Sequence, residues 1–264
     1  MPLVSVIIPL YNAESFIKQT IESVQSQTIS DIEIIIVDDC STDNSLQICM
    51  DLAIKDSRIK ILKSERNFGC PGGPRNIGVQ ASSGAWVAFL DADDLWHVKK
   101  LELQLNALRS NNAKFCSSKA QLFIDDNDFL LDRNIYEFNQ KKISYLSQMF
   151  NYQTPTSSVI LLRSLALNEP FLEGIDFKAR EDIDCWLRIH KRIKQSVKVD
   201  DYLVGYRKVD GQISGNKIAM IYRTYYCYKN TSGLETKFFN ILPFILTISH
   251  FFRAFYIRTL KKSI

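Results

Sequence analysis

An apolar stretch that runs straight into acidic residues limits most what this chain can fold into. Trp86 to Leu90 reads WVAFL, which is typical of a strand buried on both faces. Three carboxylates follow within four residues, at Asp91, Asp93 and Asp94. Like charges at the end of a buried strand repel each other, so this cluster requires contact with solvent or with a cation.

The spacing of these carboxylates favours a metal site. Asp91 and Asp93 are two positions apart, so on an extended backbone their side chains point the same way. Carboxylate oxygens suit Mg²⁺ or Mn²⁺, which proteins usually hold with one or two carboxylates plus substrate phosphates. The alternative is an acidic turn in which Asp94 caps a following helix.

The segments before this strand alternate between strand and helix patterns. The predicted strands are Leu3–Pro9, Ile32–Val37 and Ile59–Leu62, and the predicted helices are Glu14–Gln27, Ser41 or Thr42 to about Ile54, and about Arg75 to Ala81. This alternation predicts an α/β fold with a mostly parallel, doubly wound, Rossmann-like sheet flanked by helices. Ligands bind such sheets beyond the carboxyl ends of the strands, where both Asp39 and Asp91 fall.

Composition excludes several classes of protein. Lys and Arg number 33 against 29 Asp and Glu, and the net charge of +4 is too small to indicate nucleic-acid binding. The six cysteines form no C-x-x-C pair, which argues against a zinc knuckle or disulfide framework and favours a reducing compartment. We expect no secretory signal after Met1. Neither a G-x-G-x-x-G nor a Walker A sequence is present to hold a nucleotide.

Four short motifs occur in the order and spacing of a known family. They are VIIPLYN from Val6, VDDCSTD from Val37, RNIG from Arg75 and FLDADD from Phe89. Together, over roughly the first hundred residues, they resemble the signature of glycosyltransferase family 2. The resemblance implies a GT-A fold, a nucleoside-diphosphate-sugar donor, a divalent metal and inversion at the anomeric carbon.

The resemblance also implies how the nucleotide is bound. Pro9 and Tyr11 would lie against the nucleoside together with Asp39, whose carboxylate would accept a hydrogen bond from the base. Arg75 would lie near the diphosphate. The alternatives are that Asp39 is a carboxylate at a helix N-terminus, favoured by the helix dipole, and that Arg75 forms a surface ion pair of little energetic value.

The acidic motif would bind the metal and the sugar. Asp93 would hold Mn²⁺ or Mg²⁺, with Asp91 as a second ligand that also faces the ribose or sugar, and Asp94 would assist at the sugar. Further along, Arg207 resembles the basic residue of the family's Y-R segment, which approaches the diphosphate. Many relatives carry a histidine two positions later, where this chain has Val209. Either Arg207 compensates or the metal has fewer protein ligands.

A second candidate site lies at the start of a predicted helix. Apolar residues at helical spacing follow it, at Ile183, Trp186, Leu187 and Ile193. Carboxylates in a first helical turn are favoured by the dipole, which is the simpler explanation. The resemblance to the family's E-D motif implies instead that Asp182 is the general base for the acceptor hydroxyl. Glu181 would be an acceptor or orienting contact, and Trp186 a substrate contact.

Three parts of the chain are distinguished: a nucleotide-sugar-binding part at 1–98, an acceptor-binding part of the same domain at 99–214, and a helical tail at 215–264. The later predicted helices are Lys99–Arg109, Tyr145–Phe150 and Ile218–Tyr228, and the later predicted strands are Lys114–Cys116, Gln121–Ile124, Thr156–Leu162 and Leu203–Arg207. Phe238–Phe252 is very apolar, but Pro243 interrupts it and basic residues follow. We expect it to lie in a membrane interface, with a core helix as the alternative.

These features predict an inverting, metal-dependent transferase of the hexosyltransferase type. The expected donor is a UDP-sugar, and the expected acceptor is a hydroxyl of a polyprenyl-diphosphate-linked glycan, as in O-antigen or capsule assembly. The enzyme would be cytoplasmic and peripherally associated with the inner face of the inner membrane through its tail. The alternatives are a soluble or protein acceptor, or a catalytically silent nucleotide-sugar-binding protein.

Overall fold

A computed structural model describes residues 1–124, 135, 139–150, 154–173, 177–208, 217–231 and 243–249. The strands are β1 Val4–Leu10, β2 Ile32–Asp38, β3 Ile59–Lys63, β4 Trp86–Phe89, β5 Leu95–Trp96, β6 Phe115–Phe123, β7 Gln140–Ser144, β8 Ile160–Leu162 and β9 Gln195–Arg207. The helices are α1 Ile17–Gln25, α2 Ser45–Lys55, α3 Gly72–Ala81, α4 Lys100–Ser110, α5 Tyr145–Phe150, α6 Arg163–Asn168, α7 Glu181–Ile193 and α8 Lys217–Thr231, with a 3₁₀ turn at Thr156–Ser158.

The described strands join into a single sheet in the order β3-β2-β1-β4-β8-β6-β9-β5, with β7 paired to β9. β1 to β4 are parallel to one another, as the alternation of strand and helix predicts. β8 runs antiparallel to both β4 and β6, and β9 is parallel to β6 but antiparallel to β5 and β7. The sheet is therefore parallel in its first half and mixed in its second half, and residues from both predicted parts of the domain share it.

Helices cover both faces of the sheet, so successive residues of β1 enter two different cores. Val6 and Ile8 belong to a cluster with α1 and α4, whereas Ile7 belongs to a cluster with α3 and α7. All three are 0% exposed, as a strand buried on both faces requires. This arrangement confirms the predicted α/β fold.

Four predicted strands differ from the structure. The strands predicted at Lys114–Cys116 and Gln121–Ile124 are one strand, β6, because a register shift after Ser118 keeps its polar middle paired with β9. The strand predicted from Thr156 begins only at Ile160. Before it, the Ser158 N–H donates to the Pro155 carbonyl at 2.9 Å and closes the 3₁₀ turn. The strand predicted at Leu203–Arg207 is the end of the longer β9.

The C-terminal helices pack on the end of the domain. Side chains from α5, α7, α8 and the helical residues 243–249 form a small core, which contains Met149, Ile183, Leu187, Cys227, Tyr228 and Leu246. In the part of the chain that the structure describes, no helix is long and apolar enough to cross a membrane. The rest of the predicted apolar tail and Val209 lie outside the described residues.

Candidate active site

The carboxyl ends of β1, β2 and β4 lie side by side and form what we call the carboxyl edge. The Asp39 N–H donates to the Leu10 carbonyl at 2.8 Å, and the Leu90 N–H donates to the Ile7 carbonyl at 3.0 Å. These bonds bring Asp39 and the acidic loop, defined as residues 91–94, out of the sheet on the same side. The two acidic motifs predicted at strand ends therefore share one edge.

The part of this edge where a nucleoside is expected to bind, which we call the nucleoside end, is formed by Asp39 and the loop after β3. Asp39 is 4% exposed, and its two carboxylate oxygens accept from the Phe68 N–H at 3.0 and 3.1 Å. Burial raises the pKa of Asp39, and the hydrogen bond from Phe68 opposes this shift. α2 begins only at Ser45, so the alternative of a carboxylate at the helix N-terminus does not hold. Of the two other residues predicted here, Pro9 is buried in β1 and Tyr11 is 52% exposed.

Glycine and hydrogen bonds hold the loops around Asp39 and Tyr11. A Cβ on Gly73 would lie 2.2 Å from the Phe68 ring, so only glycine lets that ring pack on α3 in this position. Asn12 adopts a positive φ of 47°, and its side-chain oxygen accepts from the Thr42 N–H at 2.8 Å. The loops after β1 and β2 are thus tied together where the nucleoside is expected.

Arg75 connects the acidic loop to the start of α7. Its Nη2 contacts Asp91 Oδ1 at 2.5 Å, its Nη1 contacts Glu181 Oε1 at 3.2 Å, and its guanidinium lies 5.3 Å from the Phe171 ring centre. Arg75 is 2% exposed, so it is not the surface ion pair considered as the alternative. Its place beside Asp91 is compatible with the predicted contact to a diphosphate, which stays a prediction.

Neighbouring carboxylates at the start of α7 have different surroundings. Glu181 is 3% exposed and faces Arg75, which favours the orienting contact of the two predicted roles, and the role itself stays a prediction. Burial and the charge of Asp182 raise the pKa of Glu181 to about 7, and Arg75 acts against this shift. Asp182 is only half-buried, and its Oδ1 accepts from the Ile183 N–H at 2.8 Å. Asp182 is therefore the carboxylate of the two that an acceptor could approach.

Asp94 is the most enclosed residue of the acidic loop. It is 1% exposed, its Oδ2 accepts from the Ser157 hydroxyl at 2.5 Å, and its Oδ1 accepts from the Arg207 N–H at 3.0 Å. Burial, followed by the charges of Asp93 and Asp91, raises the pKa of Asp94 well above its usual value. Asp94 precedes the two-residue strand β5, so the predicted alternative of a helix cap is wrong. Its predicted contact with the sugar stays a prediction.

Arg207 holds the backbone of the acidic loop in place. Its Nε donates to the Asp93 carbonyl at 2.9 Å and its Nη2 donates to Gln19 at 2.9 Å. The guanidinium lies 4.9 Å from the Phe16 ring centre and 4.5 Å from that of Phe123. This side chain, 5% exposed, holds the backbone of the loop, and its approach to a diphosphate stays a prediction.

The predicted metal ligands Asp91 and Asp93 lie on a turn, closed by the Asp94 N–H donating to the Asp91 carbonyl at 3.1 Å, and not on the extended backbone expected for them, so their role as ligands stays a prediction. Burial and the charge of Asp91 raise the pKa of Asp93 to about 6, and a backbone hydrogen bond and the charge of Arg207 act against this shift. No cluster of three or more acidic, His or Cys side chains suited to a metal occurs in the described ranges. Asp91 and Asp93 alone supply two hard oxygen donors, which matches the usual Mg²⁺ site completed by phosphates.

One predicted contact is wrong and one group of contacts was missed. Trp186 is 0% exposed and packs against Phe89, Phe115 and Phe171, so it belongs to the core and does not reach a substrate. The missed side chain is Ser157, which the sequence placed in a strand. The run TPTSS around it is rich in the residues that favour turns, and this signal could have identified the turn.

Sequence comparisons relate this chain to known glycosyltransferases. The family model described as "Glycosyl transferase family 2" matches residues 5–168. WfgD of Escherichia coli, named as a UDP-Glc:alpha-D-GlcNAc-diphosphoundecaprenol beta-1,3-glucosyltransferase, is 34% identical over 222 residues, covering 84% of this chain and 83% of WfgD. TuaG of Bacillus subtilis, whose name assigns it to teichuronic acid biosynthesis, is 32% identical over 234 residues, covering 89% of this chain and 90% of TuaG.

A solved structure supports the same fold. The crystal structure of S. aureus TarS 1-349 in complex with UDP-GlcNAc superimposes with a TM-score of 0.71 at 20% identity, covering 99% of this chain and 76% of TarS 1-349. The sheet with helices on both faces is thus the GT-A fold. The family match over more than half of the chain, with relatives similar over nearly its whole length, shows that the chain belongs to glycosyltransferase family 2.

Proposed function

We propose that this glycosyltransferase moves a sugar from a UDP-sugar to a hydroxyl of a lipid-linked glycan, with inversion at the anomeric carbon. The observation that carries the proposal is the link Asp91–Arg75–Glu181, which holds the acidic loop next to the helix turn that bears Asp182. The names of the relatives support the substrates. WfgD is named for UDP-Glc and a diphosphoundecaprenol acceptor, and TarS was crystallised with UDP-GlcNAc.

The donor would bind along the carboxyl edge. Asp39 and the exposed ring of Tyr11 would contact the nucleoside, which puts the diphosphate towards the acidic loop. Asp93, with Asp91, would hold Mn²⁺ or Mg²⁺, and the bound ion would supply positive charge where the departing diphosphate becomes negative. Arg75 keeps Asp91 in place for this role through the 2.5 Å contact.

The acceptor would approach from α7. In an inverting displacement, the acceptor oxygen bonds to the anomeric carbon as the bond from that carbon to the diphosphate oxygen breaks on the opposite face. Asp182 would take the proton of the acceptor hydroxyl, so no covalent enzyme intermediate forms. Glu181, held by Arg75, fixes the helix turn that presents Asp182.

A panel of sugar nucleotides tests the proposal. Calorimetry should show Mn²⁺-dependent binding of a UDP-sugar, and prolonged incubation should release the nucleoside diphosphate by slow hydrolysis. Release of the nucleoside monophosphate and the sugar 1-phosphate would place the cleavage between the two phosphates and would contradict glycosyl transfer. A chain that binds no member of the panel, with or without Mn²⁺, would overturn the proposal.

Exposed apolar side chains support the lipid-linked acceptor. On α8 and residues 243–249, Tyr222 is 60% exposed, Phe244 59% and Ile245 50%. We propose that this face lies in the interface of the cytoplasmic membrane, where such side chains enter the headgroup region. Sedimentation with phosphatidylglycerol vesicles should carry the protein down, and Phe244→Ser combined with Ile245→Ser should reduce the bound fraction. An intact chain that stays in the supernatant would favour a soluble acceptor.

A further inference from the structure

The 3₁₀ turn Thr156–Ser158 touches the acidic loop at two points through one hydroxyl. Ser157 Oγ donates to Asp94 Oδ2 at 2.5 Å, at the short end of the range for a hydroxyl donor. The same oxygen accepts from the Asp91 N–H at 3.1 Å. Ser157 is 1% exposed, so water does not compete for either bond. One side chain thus connects the backbone at the start of the loop to the carboxylate at its end.

The turn itself is held from below by buried side chains. Trp96 Nε1 donates to the Ser157 carbonyl at 2.7 Å, and Gln104 Nε2 donates to the Ser158 carbonyl at 2.7 Å. Lys100 donates to Gln104 Oε1 at 2.8 Å, and its Nζ lies 3.8 Å from the Trp96 ring centre. All these side chains are 0% exposed. The turn is therefore a rigid support, because each of its anchors is fixed inside the core.

The neighbouring hydroxyl faces the other half of the candidate site. Thr156 Oγ1 donates to Asp182 Oδ2 at 3.4 Å, a weak hydrogen bond that substrate binding can shorten. Thr156 is 6% exposed. Two consecutive residues thus contact the acidic loop and the candidate base, one each.

We propose that Ser157 and Thr156 are positioning residues, Ser157 for the donor-binding acidic loop and Thr156 for the general base Asp182. The inference rests on the proposed function, since it assigns the acidic loop to the donor and Asp182 to proton transfer. It adds that a single buried turn sets the relative position of the two. Each hydroxyl should then affect a different kinetic parameter, although the residues are adjacent.

The Ser157 test measures donor binding. Ser157→Ala removes the donor to Asp94, and the dissociation constant for UDP in MnCl₂ and the KM for UDP-glucose hydrolysis should both rise about 10-fold or more, with a smaller change in kcat. Ser157→Cys keeps the size of the side chain with a weaker donor, and it should act in the same direction if the alanine variant does not fold. Ser158→Ala is the matched control, because Ser158 Oγ donates at 2.7 Å to Pro155 within the turn.

The Thr156 test measures the chemical step. Thr156→Val keeps the shape of the side chain and removes its hydroxyl. The kcat for UDP-glucose hydrolysis should fall at least about threefold, which is less than the loss expected on removing the base Asp182 itself. UDP binding should stay unchanged. Thr156→Ser should restore the wild-type rate. A merely structural role would move both parameters together and would not distinguish serine from valine.

The outcomes separate the inference from the proposed function. A wild-type protein that neither binds UDP nor hydrolyses UDP-glucose in MnCl₂ overturns both. If the wild type does so and the Ser157 variants match Ser158→Ala, the positioning role of Ser157 is wrong and the proposed function stands. If Thr156→Val weakens UDP binding as much as Ser157→Ala does, the division of roles between the two hydroxyls is wrong.

Discussion

The two ends of the carboxyl edge are assembled in different ways. At the nucleoside end, the side chain of Asp39 is held by Phe68, 29 residues later in the chain. In the acidic loop, Asp94 is held by Ser157 and Arg207, at separations of 63 and 113 residues. The first end therefore forms from neighbouring loops, whereas the second requires the completed sheet.

This difference predicts which substitutions affect mainly ligand binding and which also affect the stability of the fold. A change at Asp39 should affect mainly the ligand, because its partner is a backbone N–H that any residue provides. A change in the network of the acidic loop should affect stability as well as activity, because its partners are buried side chains from distant elements. The four predictions below test this contrast, from the largest expected effect to the smallest.

Replacing the candidate base should stop turnover and leave the donor bound. Asp182→Asn removes the proton acceptor, and kcat should fall by about 100- to 10,000-fold while UDP binding in MnCl₂, measured by calorimetry, stays as in the wild type. Asp51→Asn, on the exposed face of α2, is the control and should be fully active. Activity that survives in Asp182→Asn would show that another group takes the proton.

Removing the buried guanidinium of Arg75 should destabilise the fold. Arg75→Met leaves Glu181 without its partner at a site where both side chains are 3% exposed, so the free energy of unfolding should fall by about 3–5 kcal/mol in urea titrations at pH 8, where Glu181 is ionised. Lys18→Met is the control, because its contact with Glu22 is solvent-exposed at 66% and 50% and should contribute less than about 1 kcal/mol. Equal losses of unfolding free energy in the two variants would show that the buried ion pair contributes no more to stability than the exposed one.

Stability should fall as the pH rises towards neutrality, in part because of Glu181. Its pKa is raised from 4.5 to about 7, so the folded state holds a proton that the unfolded state has released between these values, and stability decreases across this window. Glu181→Gln should remove up to about 3 kcal/mol of the difference in unfolding free energy between pH 4.5 and pH 7.5. An unchanged pH profile in this variant would show that Glu181 is ionised throughout.

The effect of Mn²⁺ on UDP binding should differ between variants at the two ends of the carboxyl edge. Asp93→Ala should weaken UDP binding about 10- to 100-fold in MnCl₂ and have little effect in EDTA. Asp39→Asn should weaken binding by a similar factor in both buffers, because its expected contact is with the base. If calorimetry gives Asp93→Ala the wild-type affinity in MnCl₂, the metal role of Asp93 is refuted.

The nucleoside half of the fold was predictable because its signals are local. β1 and β2 are mostly apolar runs, and polar residues mark their ends directly in the sequence, Tyr11 and Asn12 after β1 and Asp39 after β2. The links of the acidic loop were not predictable, because hydrogen bonds from Ser157 and Arg207 depend on which strands become neighbours. Trp186 shows the opposite error, since helical spacing places a residue on a face but does not say what covers that face.

The position of β5 limits how the length of the acidic loop can change. Leu95 and Trp96 pair with Gly205 and Val204 of β9, while the other end of the loop leaves β4 at a different place in the same sheet. One inserted residue would turn the Trp96 indole away from the Ser157 carbonyl, since strand side chains alternate between faces. An insertion in this loop is therefore tolerated only where it is absorbed before Leu95, so that the pairing of β5 with β9 and the contact of the Trp96 indole are both kept.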